Sequence, residues 1–284
     1  MGKVAVVTDS TAYIPKDLVA KLKITVVPLV VIWGNESLED GVDILPEQFY
    51  NRLKTAKEIP TTSQASVPNM HKAFASQIEQ GYDVLGVFIS GKLSGTMQSA
   101  VQGQNELASG KEKVTLVDSN TVAMALGFHV MAAAEAAAAG ASVQECKKIA
   151  EEAQKNSGVY FVVDTLEFLH RGGRIGGAQR FLGSALNIKP ILTIAEGKIE
   201  AAGSVRTKAK ALSHVVELVQ EQCKGKEKVR LATLHANAEA DAKEVLLQAG
   251  KGLNLTESVL SEVSPAIGTH TGPGTVGLAY MHSM

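Results

Sequence analysis

The sequence predicts an α/β protein in two parts, an N-terminal unit with a mainly parallel sheet and flanking helices, followed by a C-terminal α/β unit with a mixed or antiparallel sheet. Three observations carry this. The chain has 284 residues, more than one typical domain core needs. Its first half alternates short β-branched runs with helical stretches, the pattern of strands joined by crossover helices. From Val159 onward the pattern changes to Gly-rich segments and a hairpin signal. The change places the boundary at 157/158, giving units 1–157 and 158–284.

In order, the strand candidates of the first unit are residues 3–8, 25–32, 84–90 and 114–117. The helix that precedes the third candidate opens with Ser66 and Pro68 and closes at Gly81. Residues 121–140 hold only His129 and Glu135 as sizeable polar side chains. The apolar content there is mostly Ala, a weak driver of membrane insertion, so a buried helix is expected. Ser142 and Glu145 form a capping box for the next helix, which is expected to run to about 156. The second unit opens with a strand to Val163, then a hairpin over 191–202 turning at Glu196-Gly197. A helix over 207–223, a strand over 229–234, a helix over 239–248 and a last strand over 255–263 complete the expectation.

Charge argues against bulk attraction to nucleic acid: 28 Lys plus Arg face 29 Asp plus Glu, a net of -1. The distribution is uneven, however. Arg171, Arg174, Arg180, Lys189, Lys198, Arg206, Lys208 and Lys210 stand against only Glu196 and Glu200 in one stretch. An anionic partner for that stretch is expected. Cys146 and Cys223 are the only cysteines and form no CxxC pair, which suits a reducing compartment. With no apolar leader at the start, a cytoplasmic location is expected.

Four loops are rich in hydroxyls: Thr8-Asp9-Ser10-Thr11, Thr61-Thr62-Ser63-Gln64-Ala65-Ser66, Ser90-Gly91-Lys92-Leu93-Ser94-Gly95-Thr96 and Asp118-Ser119-Asn120-Thr121. In an open α/β sheet such loops border the ligand crevice. Taken singly, each Ser, Thr or Asp caps its own helix; four together point to a shared oxyanion site. No GxSxG elbow, phosphate loop or GxGxxG is present. The seven histidines show no HxxxH spacing, so no metal is expected. Arg171-Gly172-Gly173-Arg174 offers guanidinium groups on a backbone that can approach an anion. Gly268-Thr269-His270-Thr271-Gly272 is read as a tight loop presenting one imidazole to a carboxylate or phosphate.

TDST at Thr8, TSQAS at Thr62, SGKLSGT at Ser90, VDSNT at Val117, LHRGGRIGG at Leu169, KPIL at Lys189, VRT at Val205 and GTHTGPG at Gly268 come in an order that resembles the DegV family. That family includes the fatty-acid-binding FakB subunits of bacterial fatty acid kinase. The resemblance spans nearly the whole chain and implies a long-chain fatty acid held between two domains, with no cofactor and no catalytic residue of its own. It implies that Thr62, Ser94 and His270 meet the fatty-acid carboxylate, with Ser63 and Gly95 beside them. It assigns Arg174 and Arg206 to the phosphorylated product or to an ATP-dependent kinase subunit, and allows transient contact with a membrane surface. Ala65, Met97 and His170 depart from residues common in the family at those places. Met124, Leu126, Phe128 and Met131 on the Ala-rich helix are expected to line the tunnel. The rival expectation is an acyl hydrolase or phosphotransferase using Ser94 and His270.

Overall fold

The computed structural model describes residues 2–183 and 188–284. The chain opens with β1 (Lys3–Asp9), α1 (Lys16–Lys21), β2 (Thr25–Val27), β3 (Val30–Trp33), β4 (Glu36–Glu39), α2 (Pro46–Leu53) and β5 (Thr61–Ser63). It continues with α3 (Val67–Glu79), β6 (Tyr82–Phe88), α4 (Thr96–Asn105), β7 (Val114–Asp118), α5 (Ala123–Ala138) and α6 (Val143–Ala153). Then come β8 (Ser157–Val162), α7 (Glu167–Arg171), β9 (Lys189–Ala195), β10 (Lys198–Val205), α8 (Lys208–Cys223) and β11 (Val229–His235). The last elements are α9 (Glu239–Ala249), β12 (Leu255–Glu262), α10 (Pro265–Thr271) and β13 (Val276–Met281).

Among the described residues the strands form three sheets. The order β2-β1-β6-β7 is parallel throughout. The order β10-β9-β8-β13-β11-β12 is mixed, antiparallel except where β11 meets β12. A small antiparallel sheet, β4-β3-β5, stands apart. The predicted fold class therefore holds: a parallel N-terminal sheet with helices and a mixed C-terminal sheet.

Local chemistry accounts for the starts and stops. Ser66 caps α3 by accepting from Asn69 N, and Gly81, at φ +84°, turns the chain after it. Ser142 and Glu145 make the expected reciprocal capping box on α6. Helix α5 runs between sheets, touching β1 and β6 on one side and β8 and β13 on the other. That is why it is apolar on all faces.

Four sequence expectations are corrected. Residues 25–32 are two strands in different sheets: β2 pairs with β1, then Pro28, which has no N–H to donate, breaks the ladder before β3. Thr61 to Ser63 are not a loop but β5, with Thr62 opposite Val31. His270 lies in the last turn of α10, which opens on Ser264 and Pro265 and ends at Gly272, φ +75°. The strand β13 was not expected at all, yet it sits inside the six-stranded sheet with every residue buried. A strand buried on both faces shows no alternation, so its sequence carries no period of two.

Candidate functional site

A cavity lies between the parallel sheet and the six-stranded sheet. It holds about 110 Å³ measured at the centre of a water-sized sphere, several times the ~10–15 Å³ that one water needs. Its wall is largely hydrocarbon, with Leu29, Ile89, Val159, Phe161, Ile194 and Leu234 among the residues that form it. Strand alternation brings them there. On β8, Val159 and Phe161 face the cavity side, while Tyr160 and Val162 pack on the opposite face among the residues around α8.

One part of the wall is polar and gathers Thr62, Ser63, Gln64, Ser94, Gly95, Arg174 and His270 from segments far apart in the chain. Strand β5 carries Thr62, whose Oγ1 lies 2.7 Å from His270 Nε2. The loop after β6 brings Ser94, whose Oγ is 2.9 Å from Thr96 Oγ1 and accepts from Thr96 N. Thr96 Oγ1 also accepts from Ala65 N at 3.4 Å, tying this loop to the one after β5. Arg174 is half-buried; its Nε donates to Leu93 O at 3.2 Å and its Nη1 to Gly172 O at 2.6 Å.

Two glycines make the approach possible. A Cβ on Gly172 would lie 2.1 Å from His270 Nδ1, and one on Gly95 would lie 3.0 Å from the Gln64 amide. Burial, and then the neighbouring Arg174, depress the His270 pKa to about 4. The imidazole is therefore neutral near pH 7, and its buried Nδ1 has no protein partner. Arg174, not His270, supplies positive charge at this end. An anionic oxygen here would meet two hydroxyls, a neutral ring N–H and a guanidinium, which is a carboxylate-recognising set.

The structure brings Thr62, Ser63, Ser94, Gly95, Arg174 and His270 to one wall. It does not bring Arg206, which is exposed between β10 and α8 and stands outside the cavity lining. Nor do Met124, Leu126, Phe128 and Met131 line the cavity: all four are fully buried in core clusters, and α5 lends the wall only Ala123. A helix pressed between sheets fills its surroundings with its large side chains, leaving only its first turn beside a void. Ser94 and His270 share no hydrogen bond, since the imidazole faces Thr62 and the serine pairs with Thr96; a serine–histidine nucleophile is not assembled there.

Sequence reasoning missed Tyr13, Gln64 and most of the apolar wall. The available signal was alternation on β8 and β9, together with position just beyond the strand ends. The other two hydroxyl loops serve the scaffold. Asp9 accepts from Thr11 N, Thr11 Oγ1 and Ile89 N, and Asp118 accepts from Gly91 N and Asn120 N. Among the described residues no group of three or more His, Cys, Asp or Glu could hold a metal, and no helix is long and apolar enough to cross a membrane.

Fold and site together define a class: an α/β protein whose cavity between sheets suits a small ligand with a polar head and an apolar body. The chain belongs to the DegV family, whose model, described as an uncharacterised protein family, matches residues 3–283. It is 39% identical over 279 residues to a DegV domain-containing protein of Clostridium perfringens, covering 98% of each chain. It is 35% identical over 279 residues to Protein DegV of Bacillus subtilis, again covering 98% of each. Among solved structures it resembles a fatty-acid-binding DegV family protein from Thermus thermophilus, with TM-score 0.93 and 35% identity over 99% of this chain and 100% of that one. The structure of DegV, a fatty acid binding protein from Bacillus subtilis, matches with TM-score 0.90 and 33% identity over the whole of both chains.

Proposed function

We propose that this protein binds a long-chain fatty acid, with the carboxylate at Thr62, Ser94, His270 and Arg174 and the acyl tail in the apolar part of the cavity. The observation that carries this is the pairing of a hydrocarbon-walled cavity with one polar wall of hydroxyls, a neutral imidazole and a guanidinium. Ser63 and Gly95 border the same head group. Burying roughly fourteen methylenes at about 0.8 kcal/mol each yields on the order of 10 kcal/mol, against about 1.5–3 kcal/mol for a hydrogen bond to a charged head. The tail sets affinity and the polar wall sets direction.

In the same reading the protein is a carrier in the cytoplasm. It presents the carboxylate to a separate ATP-dependent fatty acid kinase subunit and holds the acyl phosphate afterwards, with Arg174 near the head group and the exposed Arg206 toward the partner. Fatty-acid-binding relatives of the same fold support the binding step. Mass spectrometry of lipids released from the purified protein tests that step: a stoichiometric fatty acid is expected, and its absence after gentle purification rejects it. Adding a fatty acid kinase subunit and ATP tests the second step, which predicts acyl phosphate only when both proteins are present.

A further inference from the structure

Tyr13 lines two spaces at once. One is the cavity just described; the other is a mainly apolar surface groove formed with Ile14, Val19, Val26, Pro28 and Val42, whose wall also holds Asp9, Ser10, Asp40, Lys16 and Lys23. Val26 and Val42 are open to solvent there. The backbone of Tyr13 is held in place: it sits at φ +57°, a left-handed conformation uncommon for a bulky residue, and its carbonyl accepts from Ser261 Oγ at 3.1 Å. The side chain is held differently. Its hydroxyl is buried, and although Ser264 is near enough to interact electrostatically, no hydrogen bond of ordinary geometry forms. Ser264 stands at the N-terminal end of α10, and His270 lies six residues further on, so roughly 9 Å separates the Tyr13 end of that helix from the polar wall.

We propose that the Tyr13 ring is a specificity-determining partition that closes the fatty-acid cavity off from the groove and so limits the length of acyl tail the protein retains. The inference rests on the fatty-acid reading above. In this arrangement a tail that outgrows the cavity meets the ring, and removing the ring joins the cavity to a mainly apolar groove where further methylenes can be buried.

The experiment measures dissociation constants for a series of straight-chain saturated fatty acids with the wild type, Tyr13→Gly and Tyr13→Phe. Glycine suits the left-handed backbone, and Tyr13→Asn, which also tolerates it, serves as the second ring-deleting variant. In the wild type, affinity should rise about fourfold per added methylene and stop rising at one length. In the ring-deleting variants the rise should continue for several more carbons. Tyr13→Phe should keep the wild-type limit, because it retains the ring that stands between the two spaces. An unchanged limit in both ring-deleting variants overturns the proposal, as does a shifted limit in Tyr13→Phe. A wild type that binds no acid of any length rejects the fatty-acid reading itself, a result distinct from either.

Discussion

The loops after β1 and β6 look alike in sequence and do different work. Their strands are adjacent in the parallel sheet, and each loop offers several hydroxyls. After β1, however, Asp9 is fully buried and its carboxylate takes the donors around it: Thr11 through backbone and hydroxyl, and Ile89 N from the neighbouring strand. Ser10 turns to Asp40, which also accepts from Ser264 Oγ and Ala266 N at the start of α10. After β6 the loop has no acid of its own, and Asp118 from the neighbouring strand takes only Gly91 N. Ser90 spends its hydroxyl on Gly197 O, but Ser94 and Gly95 remain at the cavity wall. One buried carboxylate thus separates a loop that fastens the scaffold from a loop that faces a ligand.

Breaking the scaffold side should have the largest effect. Asp9→Ala leaves the N–H groups of Ile89 and Thr11 without their acceptor, which should lower unfolding stability by about 3 kcal/mol. Denaturant titration measures this, and fatty-acid affinity of the remaining folded protein should change less than twofold. If affinity falls in step, the two loops are not separable as argued.

The second effect depends on pH. Burial raises the Asp40 pKa from 3.8 to about 6. Between these values the folded state holds a proton that the unfolded chain has released, so this group's stabilisation is complete below about pH 4 and is lost as pH rises through 6. The amount is on the order of 3 kcal/mol. Unfolding curves at pH 4.5 and 7 should show that slope in the wild type and its disappearance in Asp40→Asn. His270 acts in the opposite sense. Its depressed pKa stabilises the fold above about pH 6.5, and that contribution is lost as pH falls toward 4. Comparing Asp40→Asn with the wild type cancels the histidine contribution.

Effects on the ligand side should be smaller in energy and confined to binding. Thr62→Val removes the hydroxyl beside His270 and should weaken fatty-acid binding about tenfold, with a stability change below about 1 kcal/mol. Ser94→Ala should weaken it by only a few-fold, because Ser94 is already shared with Thr96. Isothermal titration read alongside thermal unfolding separates the two quantities. A Thr62→Val protein that loses stability without losing affinity would place that hydroxyl with the scaffold.

Much of this was legible beforehand. The capping box at Ser142 and Glu145, the hairpin at Glu196-Gly197 and the turn at Gly81 are local signals, readable because their physics involves a few consecutive residues. The polar residues of the site were reached through short motifs in a family-like order. The apolar wall was not. Met124 and Phe128 on α5 and Phe161 on β8 are all large and buried, yet only Phe161 borders the void. Hydrophobicity says that a side chain leaves water, not which neighbour it then meets.

By itself the sequence determined the α/β class, the change from parallel to mixed pairing and the residue types able to receive a carboxylate, because propensity, capping and turn chemistry act over short spans of chain. Only the tertiary structure decided that Thr62, on β5, faces His270, on α10, across 208 positions, that β13 completes the larger sheet, and that a void remains between the sheets. Those outcomes depend on packing among distant segments, where a shift of one residue in register or one methyl in volume changes what touches what.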